Sequence, residues 1–120
     1  EIQLGDWSSD VCSSDLVQKP RIIMMDEPTS ALDFGNQMRV IKIIRRLSSE
    51  GYAVIMTTHT PDHAIMLDDT VAMLDRSGTL RVGSTDEIMQ EKLLCEVYRT
   101  NVKLVYVKEV GRVACIASSQ

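Results

Sequence analysis

The sequence predicts an α/β fold: a parallel sheet with flanking helices, plus a small terminal β hairpin. Three observations point there. Ile22–Met25 and Val54–Met56 are short apolar runs without polar alternation, the pattern of strands buried on both faces of a parallel sheet. Between them Val40, Ile43, Ile44 and Leu47 recur at helical spacing, and strand, helix, strand implies a right-handed crossover that sets the two strands parallel. Near the C-terminal end, Lys103–Val107 and Arg112–Ile116 flank Gly111 as two short strands and a turn.

In chain order, the first strand runs from Ile22 into the adjacent acids Asp26 and Glu27, and Pro28 stops it. Charges are costly inside a doubly covered sheet, so both carboxylates belong at its carboxyl edge, where open α/β sheets bind ligands. The helix is expected over Phe34–Gly51. Asp33 or Asn36 caps its start, Gly51 closes its end, and Arg39, Lys42 and Arg46 occupy a solvated face. Ala53–Thr58 is the second buried strand. Thr60-Pro61-Asp62 opens a short helix to about Leu67, with Pro61 suited to the first turn and His63 an exposed or capping residue without a catalytic role. Thr70–Asp75 is a third strand, Arg76-Ser77-Gly78 a turn, and Thr79–Val82 its hairpin partner. Ser84 or Thr85 caps a helix from Glu87 to about Gln90, with Glu87 placed for a capping box, and a further helix covers about Lys92–Tyr98. No internal repeat is present.

The Asp26-Glu27 pair has a chemical reading. Neighbouring acids at a strand end suit a hard cation such as Mg²⁺ with its waters, and can orient an attacking water. In phosphoryl transfer one carboxylate serves the metal while a second group positions the nucleophile. Taken alone, two acids before a turn read equally well as solvated strand-end residues.

The longer stretch I-I-M-M-D-E-P-T-S-A-L-D, Ile22–Asp33, resembles the Walker B and D-loop segment of the ATP-binding subunits of ABC transporters. Val54-Ile55-Met56-Thr57-Thr58-His59 resembles the second family element, a strand ending in the switch histidine. The resemblance implies the C-terminal part of a P-loop NTPase domain over residues 17–120, an incomplete domain whose cofactors are ATP and Mg²⁺. It implies Asp26 serving Mg²⁺ through water, Glu27 as catalytic base, and His59 on the γ-phosphate. Ser30-Ala31-Leu32-Asp33 would be the D-loop, with Ser30 and Asp33 at the nucleotide of a partner subunit. Implied partners are a second ATP-binding subunit in a head-to-tail dimer, membrane permease subunits and, indirectly, a solute-binding protein, at the cytoplasmic face of the membrane. F-G-N-Q after the D-loop and L-L-C-E-V-Y before a short β tail resemble importers of iron–siderophore, haem or cobalamin.

The 120 residues hold no phosphate-cradling G-x-x-x-x-G-K-[ST] loop and no L-S-G-G-Q signature. In the family, the strand leading into the phosphate loop lies between the His59 strand and the Thr70–Asp75 strand. Without it those two strands are expected either to close up or to leave the sheet open, and the chain alone to be poorly stable. Two further readings stay open: a non-transport ABC ATPase, such as a DNA-repair or translation factor, and a non-catalytic interaction fragment. The intact Asp26-Glu27 pair and His59 argue against the latter.

Composition sets the remaining bounds. Hydrophobic residues make up 44%, enough for a core, yet no apolar run approaches the roughly 20 residues a membrane-spanning helix needs. Cys12, Cys95 and Cys115 form no C-x-x-C pair and read as reduced thiols. The net charge of −4 resides in Glu1, Asp6, Asp10 and Asp15, and the balanced remainder offers no basic block for nucleic acid. Residues 1–16 lack any helical or strand period and read as a disordered leader. Their D-W-S-S-D-V-C-S-S-D-L run resembles a translated sequencing adapter, so genuine sequence is expected to start near Val17.

Overall fold

The computed structural model describes residues 21–119, so the expectations for residues 1–16 and Cys12 lie outside the described residues. The chain divides into two compact units between His59 and Thr60.

The first unit is one strand–helix–strand crossover. β1 (Ile22–Asp26) pairs in parallel with β2 (Ala53–Thr57), in a register that sets Ile22 beside Ala53 and Asp26 beside Thr57. Between them α1 (Phe34–Ser49) starts where the Asp33 carboxylate accepts the Asn36 N–H at 2.8 Å, which decides the cap between the two candidates. It ends on Glu50, and Gly51 takes a left-handed φ of 97° so that Tyr52 N–H can bond back to the Leu47 carbonyl. α1 lies against β2, and the core of this unit is Ile23, Met25, Ile41, Ile44, Leu47 and Tyr52. The helix thus buries Ile41 beside Ile44 and Leu47, while Val40 and Ile43 are only half covered.

Burial on both faces of β1 does not hold. Ile23 and Met25 are buried, whereas Ile22 and Met24 are 59% and 61% exposed, and Ile55 shares their face. A single helix covers one side of this two-stranded sheet, so the alternation of the pleat becomes an alternation of burial. Among the described strands β2 pairs only with β1, and β3 (Thr70–Leu74) only with β4 (Leu80–Ser84).

The second unit begins with α2 (Pro61–Leu67) and continues with the antiparallel β3–β4 hairpin, α3 (Thr85–Ile88), α4 (Glu91–Tyr98), and a second antiparallel hairpin, β5 (Val102–Val107) with β6 (Arg112–Ala117). Ile88, Met89, Leu94 and Val102 form its core. The Asp75 side chain leaves the strand to organise the hairpin turn. It accepts the N–H groups of Ser77 and Thr79, the Ser77 hydroxyl at 2.6 Å, and Arg81 Nε at 3.2 Å. Led by the Ser77 hydroxyl, these bonds hold its carboxyl down at about 2. α3 starts two residues earlier than expected because Ser84 is its cap. The Ser84 N–H donates to Glu87 Oε1 at 2.9 Å while Ser84 Oγ accepts the Glu87 N–H at 3.3 Å, a complete capping box. The cap also lengthens β4, which runs to Ser84 rather than stopping at Val82.

His63 overturns its expectation: it is buried, with 2% of its surface exposed. Desolvation lowers its pKa, opposed by the neighbouring Asp62 carboxylate and reinforced by Arg112. Asp62 Oδ1 meanwhile accepts Arg112 Nη1 at 3.2 Å and the Cys115 N–H at 2.9 Å, tying α2 to β6. Cys95 and Cys115 are free thiols, and burial pushes the Cys115 thiol up.

Candidate functional site

The site grows from the register of β1 and β2. Two parallel apolar strands of matched length end side by side, so the first polar residue of each, Asp26 and Thr57, emerges at the same carboxyl edge. There the Thr57 hydroxyl donates to Asp26 Oδ1 at 2.5 Å. Thr57 Oγ1 in turn accepts the Glu27 N–H at 2.9 Å.

Glu27 leaves the strand with φ 46°, a left-handed conformation that costs a non-glycine residue about 1–2 kcal/mol. Glu27 thereby starts a turn in which its carbonyl accepts the Ser30 N–H at 3.1 Å, followed by Leu32 N–H on the Thr29 carbonyl at 3.3 Å. Ala31 is again left-handed, at φ 65°. The chain then enters α1 through Asp33.

β2 delivers His59 two residues past its end. His59 Nε2 lies 3.3 Å from Glu27 Oε1, with the imidazole 82% and the carboxylate 42% exposed. Asp26, Glu27, Thr57 and His59 are therefore gathered at one solvent-facing edge. Of the other two residues singled out from sequence, Ser30 is exposed on the turn and joins only through its backbone. Asp33 is committed to its helix: its two oxygens accept the Asn36 N–H and Asn36 Nδ2.

The donor set fits a magnesium ion held through water. Mg²⁺ keeps several waters and takes one or two carboxylates plus substrate phosphates rather than an all-protein cage. Asp26 supplies one exposed carboxylate with its Oδ1 already anchored, and Glu27 follows it directly. No group of three His, Cys, Asp or Glu side chains able to hold a metal ion occurs among the described residues. Also among them, no helix is long and apolar enough to cross a membrane.

Thr57 is the hydrogen-bonding neighbour of Asp26 and Glu27 that sequence reasoning passed over. The signal was available: if Ile22–Met25 and Val54–Met56 are parallel and end together, the polar residue ending the second run faces Asp26.

No family model matches the chain. It is 36% identical over 91 residues to an uncharacterized ABC transporter ATP-binding protein of Haemophilus influenzae, covering 76% of this chain and 35% of that protein. It is 34% identical to the hemin import ATP-binding protein HmuV of Thermobifida fusca, over 75% of this chain and 32% of the relative. Among solved structures, a metal-chelate type ABC transporter in an inward-facing conformation shares the fold, with a TM-score of 0.74 and 24% identity over 83% of this chain and 41% of that one. The chain spans about a third of the length of these curated relatives. Over the stretch it spans, the chain belongs to the family of ABC transporter ATP-binding proteins.

Proposed function

We propose that this segment supplies the hydrolytic edge of an ATPase that powers import by an ABC transporter. The observation that carries the reading is the 3.3 Å approach of Glu27 to His59 beside Asp26, at the carboxyl end of a parallel strand pair. Glu27 acts as catalytic base, orienting the lytic water and accepting its proton. His59 donates to a γ-phosphate oxygen and, between turnovers, to Glu27. Asp26 would hold Mg²⁺ through water, and the ion, when bound, would supply neutralisation of charge on the phosphates. The remaining phosphate contacts come from a glycine–lysine loop outside this sequence.

Ser30 and Asp33 belong to the turn that meets the second ATP-binding subunit of a head-to-tail dimer. Permease subunits anchor the pair at the cytoplasmic face of the membrane, and a solute-binding protein delivers the cargo. The cargo class is a metal chelate of the iron–siderophore, haem or cobalamin kind. The likeness to a hemin import ATP-binding protein supports this choice.

The test is Mg²⁺-dependent ATP hydrolysis by a protein of the relatives' full length carrying this segment, with Asp26→Asn beside it. Hydrolysis that needs Asp26 supports the reading. A full-length protein that binds ATP and never hydrolyses it removes the reading in favour of an interaction role. A permease and a solute-binding protein encoded alongside favour transport over a non-transport ABC ATPase.

A further inference from the structure

We infer that Thr57 is a positioning residue for hydrolysis, a single hydroxyl that holds the metal-side carboxylate and the catalytic base in one geometry. The inference rests on the proposed function, and adds a residue to which that reading gives no role.

The hydrogen-bond directions leave no choice. The Glu27 backbone N–H is only a donor, so Thr57 Oγ1 must accept it, at 2.9 Å. The one hydroxyl proton is then free to point elsewhere, and it points at Asp26 Oδ1, 2.5 Å away. Oδ1 is thus the acceptor of that bond. A bond this short to a charged acceptor is stronger than a neutral one.

Each bond fixes a different part of the site. The bond to Asp26 restricts rotation of an otherwise exposed carboxylate, so that its position relative to a bound ion is set before the ion arrives. The bond to the Glu27 N–H holds the residue where the chain turns left-handed, and this turn carries the Glu27 side chain to His59. The parallel register makes the arrangement specific: Asp26 and Thr57 are direct Cα partners, so neither Met56 nor Thr58 occupies the position that faces Asp26. Thr57 also belongs to the strand on merit, because a β-branched side chain suits a sheet. Valine keeps that shape and removes only the hydroxyl.

The experiment compares Thr57→Val and Thr57→Ser in the full-length protein, with Glu27→Gln as reference. Three quantities are read: turnover, ATP affinity without metal, and affinity of the ATP-bound protein for Mn²⁺, followed by its electron paramagnetic resonance. Thr57→Val is expected to lower kcat about tenfold to a hundredfold and to weaken Mn²⁺ binding about tenfold, the range expected for hydrogen bonds to a charged group. Metal-free ATP affinity stays at the wild-type value, and Thr57→Ser restores both losses. Wild-type turnover and Mn²⁺ affinity in Thr57→Val, where Glu27→Gln abolishes turnover, would overturn this inference alone. Equal losses in Thr57→Val and Thr57→Ser would also overturn it, since the hydroxyl would then not be the operative group. Unchanged turnover in Glu27→Gln would instead overturn the proposed function beneath it.

Discussion

Glu27 Oε1 and His59 Nε2 lie 3.3 Å apart although they follow different strands. The contact exists because β1 and β2 run parallel in a register that ends both together, and because Glu27 turns left-handed immediately after its strand. Fold and site are therefore one construction in the first unit: loosening the strand pair separates Glu27 from His59.

The α1–sheet contact should accordingly govern the site. Ile44 is 5% exposed, and truncating a buried isoleucine costs about 2–5 kcal/mol. Ile44→Ala is expected to lower the first unit's unfolding free energy by that amount, measured by urea titration. A loss below about 0.5 kcal/mol, typical of surface substitutions, would show that α1 does not cover the sheet.

The hairpin turn of the second unit should be acid-sensitive through Asp75. Its folded carboxyl titrates at about 2, below the ordinary 3.8, so its contribution is complete above pH 3.8 and is lost as the pH falls toward 2. Bonds from Ser84 lower Glu87 too, adding loss in the same direction as pH falls below its ordinary 4.5. Thermal unfolding from pH 5 to pH 2 should therefore show a shallower decline for Asp75→Asn than for the wild type, from a lower starting point at pH 5. Parallel curves would contradict the role given to Asp75.

His63 acts at milder pH. Burial lowers its folded pKa below 6.5, so folding favours the neutral ring over the charged one relative to the unfolded chain. Its contribution is intact above pH 6.5 and is lost as the pH falls from there through the lowered value. The unfolding midpoint should drop between pH 7 and pH 5, and His63→Gln should flatten that interval while lowering the midpoint at pH 7. An unchanged slope would place the sensitivity elsewhere.

The 120-residue chain on its own should bind ATP weakly, because its sequence contains no glycine–lysine phosphate loop. Isothermal titration calorimetry with ATP and Mg²⁺ should register no tight binding. Micromolar, Mg²⁺-dependent affinity would mean that the chain cradles phosphates by another route.

What was legible in the sequence tracks how local each cause is. The β1 run into Asp26-Glu27, an α1 cap at Asp33 or Asn36 and a capping box of Glu87 with Ser84 or Thr85 are written in a few adjacent residues, and the structure holds the run and puts the caps at Asp33 and Ser84. The Ile22–Met24 face was misread because an unbroken apolar run says nothing about how many layers will cover it. Ile41 was passed over because a helical stripe more than 100° wide can be centred one residue either way. His63 stands in a seven-residue helix, too short for a period to reveal its buried side. Thr57 depends on strand register, which a single chain states only when both strand ends are compared.

The most direct measurement is steady-state ATP hydrolysis and equilibrium ATP binding by the full-length protein with Glu27→Gln. Removal of the base should slow turnover about 10²–10⁴-fold while ATP affinity stays within a few fold of wild type. Turnover equal to wild type would contradict the assignment of Glu27, and with it the catalytic reading of the edge it shares with Asp26 and His59.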